Sequence, residues 1–423
     1  MARPASMDRR DFIRTAALGV TAGALHAAPA AAAPVRLGVD VLADSGFAML
    51  QGRRVGLVTH RAGVNGVGRR TADVLARAPG VRLLKLFGPE HGIDGNARAE
   101  VGIKDMRDAR TGLPVFSLYG ATRKPTSAML EGLDDVVIDF QDVGARSYTY
   151  VSCMRLVIEA CFALPKPVRV IVLDRPNPLG GEKVDGPFLD RKWRSYVGAY
   201  ETPYAHGLTI GELARWAVAT PDVLDVPEEV RRRGRLEVVP MAGWRRAMPW
   251  ISTGLNWVPT SPMVPTPQAA LGYAMVGLGC QIGGFSHTFG DQMHFRFIRH
   301  EGRRAEELVA ALGRLVPGLD VQPRVMADGT QGAYLAINDW QKFRPVRISL
   351  HMLRQTCAWT GGRFFAQHTR NDRDLFIKHF GSEAFYEDLR VRGASVDLPR
   401  WIAHWDGHAE QFRARTAPFR LYA

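Results

Sequence analysis

Past its first 33 residues the chain has no apolar run approaching the ~18 residues needed to cross a bilayer, so a soluble mature protein is expected. It is also poor in cysteine: Cys153, Cys161, Cys280 and Cys357 are too few to staple 423 residues into a disulfide scaffold. Cys153 and Cys161 fall in one predicted helix, about 12 Å apart along its axis, and so read as core residues. A Cys280–Cys357 bridge is open to an exported chain, but spacing alone does not establish it. Several motifs are missing as well. GVNGVG at Gly63 to Gly68 has the glycine order of the dinucleotide fingerprint reversed, and there is no Walker A lysine pattern, which argues against a nucleotide cofactor. His60, His91, His206, His287 and His294 occur without H-E-x-x-H or cysteine-pair spacing, so no metal is expected. No G-x-S-x-G elbow offers a serine nucleophile, and no internal repeat is visible. The chain is therefore expected to work without a cofactor.

Those first 33 residues have a basic start, an apolar middle and a small-residue end, the layout of an export signal. Arg9-Arg10 followed by Asp11-Phe12-Ile13 reads as a twin-arginine address with cleavage near Ala28 to Ala33, giving a periplasmic or extracellular protein. No cysteine follows to accept a lipid. Removing the segment leaves 51 basic and 40 acidic side chains, a formal charge of +11. Such a balance favours polyanionic surroundings. Nucleic acid is not the expected partner, because the densest run, RRRGR at Arg231 to Arg235, lacks interleaved aromatics and reads as a solvated link. Envelope polymers suit an exported protein better.

From about residue 36, short apolar runs alternate with amphipathic stretches, the β-α-β rhythm of a parallel sheet in an α/β fold. YTYVSCMRLVIEACFAL suits a long buried helix, and Thr209 with Glu212 has capping-box spacing ahead of another. The composition shifts near Arg231, and WVPTSPMVPTP is too proline-rich for regular structure. The expected division is an export signal over 1–33, a catalytic unit over 34–231 and a smaller α+β or α/β unit over 232–423. Within the last, VRISLHML reads as a strand, and AEELVAALGRLV, RDLFIKHF and SEAFYEDLRVR read as helices.

In open parallel sheets ligands bind beyond the carboxyl ends of the strands. Polar residues collect at those positions: Thr59-His60-Arg61 after the first strand, Glu90-His91 after the second, Gln141-Asp142 with Arg146 after the fourth, and Asp174-Arg175-Pro176-Asn177 after the fifth. A lone aspartate in such a place is usually a helix cap; it is the joint placement that points to a site. Acid–base work by carboxylates is what remains. Gly88 and Pro89 fix a turn and Gly92 relieves crowding, so Glu90 would be held in a cleft where poor solvation favours its proton-carrying form. Asp142 or Asp139 would be the second carboxylate that glycoside hydrolysis commonly uses. Asp139 lies inside VVIDF and, buried there, must find a donor.

FGPEHGIDG, TGLPVFSLYG, KPTSAMLEGLDDVVIDFQDVGARSYTY, VLDRPNPLGG, HGLTIGELA and WVPTSPMVPTP, in this order, resemble the exo-β-N-acetylmuramidase family from about Arg36 to the C-terminus. The resemblance implies a Rossmann-like domain, a smaller second domain, and an active site in the cleft between them. It also implies release of β-1,4-linked N-acetylmuramic acid, or a related amino sugar, from the non-reducing end of peptidoglycan fragments, with Glu90 as the catalytic residue. On that reading Glu90 is the general acid and His91 orients it. The attack comes from water activated by Asp142, from Asp142 itself, or from the substrate's acetamido oxygen. Arg61, Arg146 or Arg175 meets the lactyl carboxylate, and Tyr148, Tyr150 or Trp257 stacks on a sugar face. Tyr148 and Tyr150, two apart on a helix, point to different sides, so only one of them is a ligand. His60, Gln141, Asp174, Asn177 and His206 complete the expected site. One segment departs: QIGGFSHTFG at Gln281 to Gly290 stands where the family reads close to E-G-T-N-x-S-E-G-R-G, which keeps a second reading in view, a carbohydrate-binding or wall-sensing protein of the same fold.

Overall fold

The computed structural model describes residues 34–98, 101–280, 284–287 and 293–423. The export segment lies outside this range, as do Gln281 to Gly283 and Thr288 to Gly290 of the departing stretch; the Cys280 side chain is likewise not described. Cys153, Cys161 and Cys357 are buried free thiols.

The first sheet is built from β1 (Arg54–Thr59), β2 (Arg82–Gly88), β3 (Met106–Arg107), β4 (Pro114–Ser117), β5 (Asp135–Asp139) and β6 (Arg169–Leu173). After the β7–β8 pair (Val184–Asp185, Ala205–His206), β9 (Leu236–Val239) completes it. Among the described residues the seven strands run in the order β3-β4-β2-β1-β5-β6-β9. All neighbours are parallel except β3, a two-residue antiparallel edge that the periodicity does not reveal. Because β9 belongs to this sheet, the chain beyond the expected boundary at Arg231 is still completing the first unit.

The central strands β1, β5 and β6 are buried on both faces, and their period of two divides the core. Val136, Ile138, Val170 and Val172 share one cluster with α4 (Thr149–Ala163). Val137, Ile171 and Leu173 share the other with α1 (Gly38–Asp44) and α2 (Thr71–Ala76). Helices α3 (Ser127–Leu130), α5 (Ile210–Ala219) and α6 (Glu228–Arg233) complete the first unit. The α5 capping box forms as its spacing predicts: Thr209 Oγ1 accepts the Glu212 N–H at 3.2 Å, and Glu212 Oε2 accepts the Thr209 N–H at 3.1 Å.

The proline-rich stretch leads into α7 (Pro267–Cys280), after which β10 (Phe285–Ser286), β11 (Phe297–His300), β12 (Leu319–Val325) and β13 (Gln331–Ile337) form a smaller antiparallel sheet, with α8 (Ala305–Leu312) between β11 and β12. Helices α9 (Arg347–Thr360), α10 (Arg363–Ala366), α11 (Arg370–Phe380), α12 (Glu383–Arg392) and α13 (Leu398–Thr416) follow. VRISLHML is therefore helix, not strand. Its alternating Val346, Ile348, Leu350 and Met352 imitate a strand, but Ser349, Met352, Leu353, Thr356 and Cys357 are buried at helical spacing, and the helix stops only at Gly361, at φ +59°.

The C-terminal segment returns to the first sheet. The Asp174 carboxylate accepts hydrogen bonds from Arg175 N, Gly211 N, Thr209 Oγ1 and the hydroxyl of Tyr422 at 3.0, 2.8, 2.7 and 2.5 Å. It thus caps α5 and anchors the chain end. Burial pushes its pKa from 3.8 up to about 6 despite these donors. Between those values the folded state holds a proton that the unfolded chain has lost, so this side chain's contribution to stability is full below the unfolded value and declines as pH rises toward 6. Asp174→Asn is expected to flatten the pH dependence of the urea midpoint across that window; an unchanged slope would contradict the assignment.

Candidate active site

Strand β1 pairs with β2 on one side and β5 on the other, so the sheet reverses its winding between β1 and β5, and the crevice beyond their carboxyl ends is where such sheets bind ligands. The loops meet there. His60, after β1, is buried, and its Nε2 accepts the Gln141 N–H from the β5 loop at 3.0 Å. Burial, with Arg175 nearby, holds its pKa well below 6.5, so the ring is neutral and serves as an acceptor. A cavity of about 320 Å³ opens beside it, lined by His60, Arg61, Arg70, Asp94 and Asn96 among others. A wider groove of about 960 Å³ lies at the opposite ends of the strands, where Arg54, Arg53 and Arg169 are matched by Asp134 and Asp135. It lies away from all of these loops, and the carboxyl-end crevice is the candidate site.

Glu90 follows β2 in a turn whose next residues, His91 and Gly92, both take left-handed backbone conformations, at φ +68° and +74°. Glycine adopts this freely, whereas a histidine does so under strain of the kind that clusters at functional sites. The Nδ1 of the His91 ring pairs with the Ala97 carbonyl at 2.8 Å and closes the loop on itself. Glu90 is only 7% exposed, and its Oε2 accepts the Thr149 hydroxyl at 2.7 Å. Thr149 is the first residue of α4, so the carboxylate sits at the positive end of a 15-residue helix. Its field also reaches the buried Tyr150, Tyr196 and Tyr273 hydroxyls, whose pKa values burial raises well above 10.

The tyrosines lock this corner. Tyr148 OH donates to Thr260 Oγ1 at 2.8 Å and Tyr150 OH to the Thr260 carbonyl at 2.5 Å. The expectation that they diverge fails because Tyr148 is the N-cap, on extended backbone outside the helix; the two rings meet edge to face at 4.8 Å. Ser147 Oγ bridges Tyr204 OH and Tyr273 OH at 2.8 and 3.0 Å, tying α7 to the same corner. Trp257 packs edge to face on Trp250 and gives its indole N–H to the Val264 carbonyl, serving the proline-rich loop itself.

Several expected ligands are instead committed to the scaffold. Arg146 is 1% exposed; its guanidinium donates to the carbonyls of Pro187, Thr202, His379 and Phe380, and burial lowers its pKa to about 10. Arg175 grips both oxygens of Asp139 at 2.5 and 2.8 Å and reaches the Val64 carbonyl, while Thr71 Oγ1 donates to Asp139 Oδ2. Asp139 thereby has the donors a buried acid must find, on both of its oxygens. Asn177 bonds the Leu208 carbonyl and the Leu179 N–H, and Gly144, at φ +79°, passes so close that a Cβ would fall 2.2 Å from its Oδ1. Gln141 Nε2 donates to the carbonyls of Asp142 and Pro176. Arg61 is exposed and reaches Asn96 at 3.3 Å.

Asp142 is different. Its Oδ2 accepts the Gly144 N–H at 2.7 Å, and its buried Oδ1 has no hydrogen-bond partner among the described residues. His206 lies opposite: Nδ1 accepts the Leu208 N–H, which leaves the proton on Nε2, 3.7 Å from Asp142 Oδ2. Sequence reasoning missed Thr149, Tyr273 and Thr260. Thr149 stood in plain view as the first helical residue after a turn at the sheet edge.

The family model described as "Exo-beta-N-acetylmuramidase NamZ, N-terminal" matches residues 55–268, and its C-terminal counterpart matches 271–422. The peptidoglycan beta-N-acetylmuramidase NamZ of Bacillus subtilis (strain 168) is 37% identical over 331 residues, 76% of this chain and 77% of that protein. Among crystal structures, a DUF1343 family protein from Bacteroides fragilis NCTC 9343 superposes with a TM-score of 0.82 at 35% identity, covering 92% of this chain and 99% of the other. A second from the same organism, at 24% identity and a TM-score of 0.66 with the same coverage, shares the fold.

Asp139→Asn leaves the Arg175 guanidinium buried without its charge partner. Breaking such a pair costs about 3–5 kcal/mol, to be read as a lowered urea midpoint. A stability within about 0.5 kcal/mol of wild type would show that the pair does not hold the loops.

Proposed function

The chain belongs to the exo-β-N-acetylmuramidase NamZ family of glycoside hydrolases, and from that premise we propose that it releases β-1,4-linked N-acetylmuramic acid from the non-reducing end of peptidoglycan fragments, with Glu90 as general acid. The observation that carries this reading is the setting of Glu90: a carboxyl almost withdrawn from water, beyond β2, held by the Thr149 hydroxyl and set among tyrosines that keep their protons. Such a group hands its proton to the leaving glycosidic oxygen as the bond to the anomeric carbon breaks. Thr149 and the turn at His91-Gly92 are positioning elements. Asp142, the carboxylate with an uncommitted oxygen, is the second acid, and His206 orients it. It acts on whichever group attacks the anomeric carbon. The substrate is an envelope polymer, and we further propose that Arg9-Arg10 directs the chain out of the cytoplasm to reach it.

The decisive experiment compares wild type with Glu90→Gln on a chromogenic N-acetyl-β-muramide. Loss of a general acid is expected to lower kcat by about 10²–10⁴-fold while muropeptide binding and thermal stability persist. Equal rates would remove Glu90 from the mechanism, and binding without turnover by the wild type would favour a carbohydrate-sensing role. In cell fractionation, replacing Arg9 and Arg10 by lysine is expected to leave the unprocessed chain in the cytoplasm; undiminished export would refute the address.

A further inference from the structure

Three of the arginines at the carboxyl edge of the sheet are spoken for: Arg146 by four carbonyls, Arg175 by Asp139, and Arg61, in part, by Asn96. The loop after β4 brings a fourth. Arg123 is exposed, and its guanidinium lies over two aromatic faces, 4.9 Å from the ring centroid of Tyr119 and 4.6 Å from that of Tyr196; those rings are themselves 5.7 Å apart. No ion pair among the described residues involves it, whereas the adjacent Lys124 is matched by Glu159 at 3.3 Å. Contact with two rings restricts the orientation of the planar guanidinium fork. That fork fits a carboxylate bidentately, and little side-chain entropy remains to be lost on binding. Its position is also apt. Tyr196 feels the fields of both Arg123 and Glu90, and Tyr119 follows Leu118, whose N–H bonds the Gly88 carbonyl at the start of the Glu90 turn.

We propose that Arg123, packed against Tyr119 and Tyr196, binds the carboxylate of an acidic amino sugar, the lactyl ether of N-acetylmuramic acid, and is the residue that separates this sugar from uncharged N-acetylglucosamine. The proposal rests on the function given above and deepens it. Arg123 acts on binding and takes no part in bond cleavage.

The full chain and its Arg123→Gln and Arg123→Lys variants are compared on chromogenic N-acetyl-β-muramide and N-acetyl-β-glucosaminide. Loss of a charge-assisted fork is expected to raise KM for the muramide about 10- to 100-fold, with kcat within a few-fold of wild type. Arg123→Lys should recover part of that loss, since it keeps the charge without the fork. Kinetics on the uncharged sugar, or its affinity where it is not turned over, should not move. An equal muramide KM in wild type and Arg123→Gln overturns the proposal, as does an equal loss for both sugars. The same comparison by calorimetry in a Glu90→Gln background, with free N-acetylmuramic acid and N-acetylglucosamine as titrants, reads recognition without chemistry. A preference for the acid that disappears with Arg123→Gln supports the assignment even if Glu90 proves not to be the proton donor. No preference in the parent overturns it.

Discussion

The grip of Arg175 on Asp139 is the constraint on which the rest of this edge of the molecule depends. Parallel strands buried on both faces end in loops that carry polar side chains into a dry region, and each must be matched there or the loop will not settle. One guanidinium meets that demand for several at once. It joins the ends of β5 and β6, reaches the Val64 carbonyl behind β1, and shares its carboxylate with Thr71 at the start of α2. With those ends fixed, His60 and Gln141 can face each other across the winding reversal. Replacing the pair by apolar residues could match its stability, but it would remove the directional bonds that set where each loop begins.

Glu90 is then aimed from the opposite side. Its strand delivers it to the edge, but the hydroxyl it meets belongs to the first turn of α4, and that turn is bolted to the proline-rich stretch by two tyrosines converging on Thr260. Proline restricts the stretch before anything binds, so the bolt closes on a segment with little freedom to lose. The Ser147 bridge to Tyr204 and Tyr273 extends the same frame to α7. A carboxyl carried by so many fixed parts needs little rearrangement when a sugar arrives, which is how a buried acid contributes most to a rate.

The sheet and the loops that carry its chemistry were legible in the sequence, because period-two apolar runs, turn glycines and capping residues are local signals. What each polar side chain does there was not. Arg146 and Arg175 look alike as candidates, and only contacts far away in the chain, such as the carbonyls of His379 and Phe380, reveal that Arg146 is enclosed. Tyr148 and Tyr150 were separated by a helical rule that does not hold at an N-cap. VRISLHML looked like a strand because a short alternating run fits both periods until its length is known. Arg123 escaped notice because its loop follows the shortest of the central parallel strands and carries no acid or imidazole to draw attention.

The return of the chain's last residues to the first sheet bears on how such a protein can vary over evolutionary time. Tyr422 closes the carboxylate behind β6, and the backbone at 379–380 supplies half the carbonyls around Arg146. The two segments that look like separable modules therefore do not have independent interiors. Grafting one onto a stranger would strand a buried charge and a buried acid in the recipient. Partners of this kind are expected to be inherited together, and diversification is left to the rim loops, where an exchange disturbs no one else's hydrogen bonds.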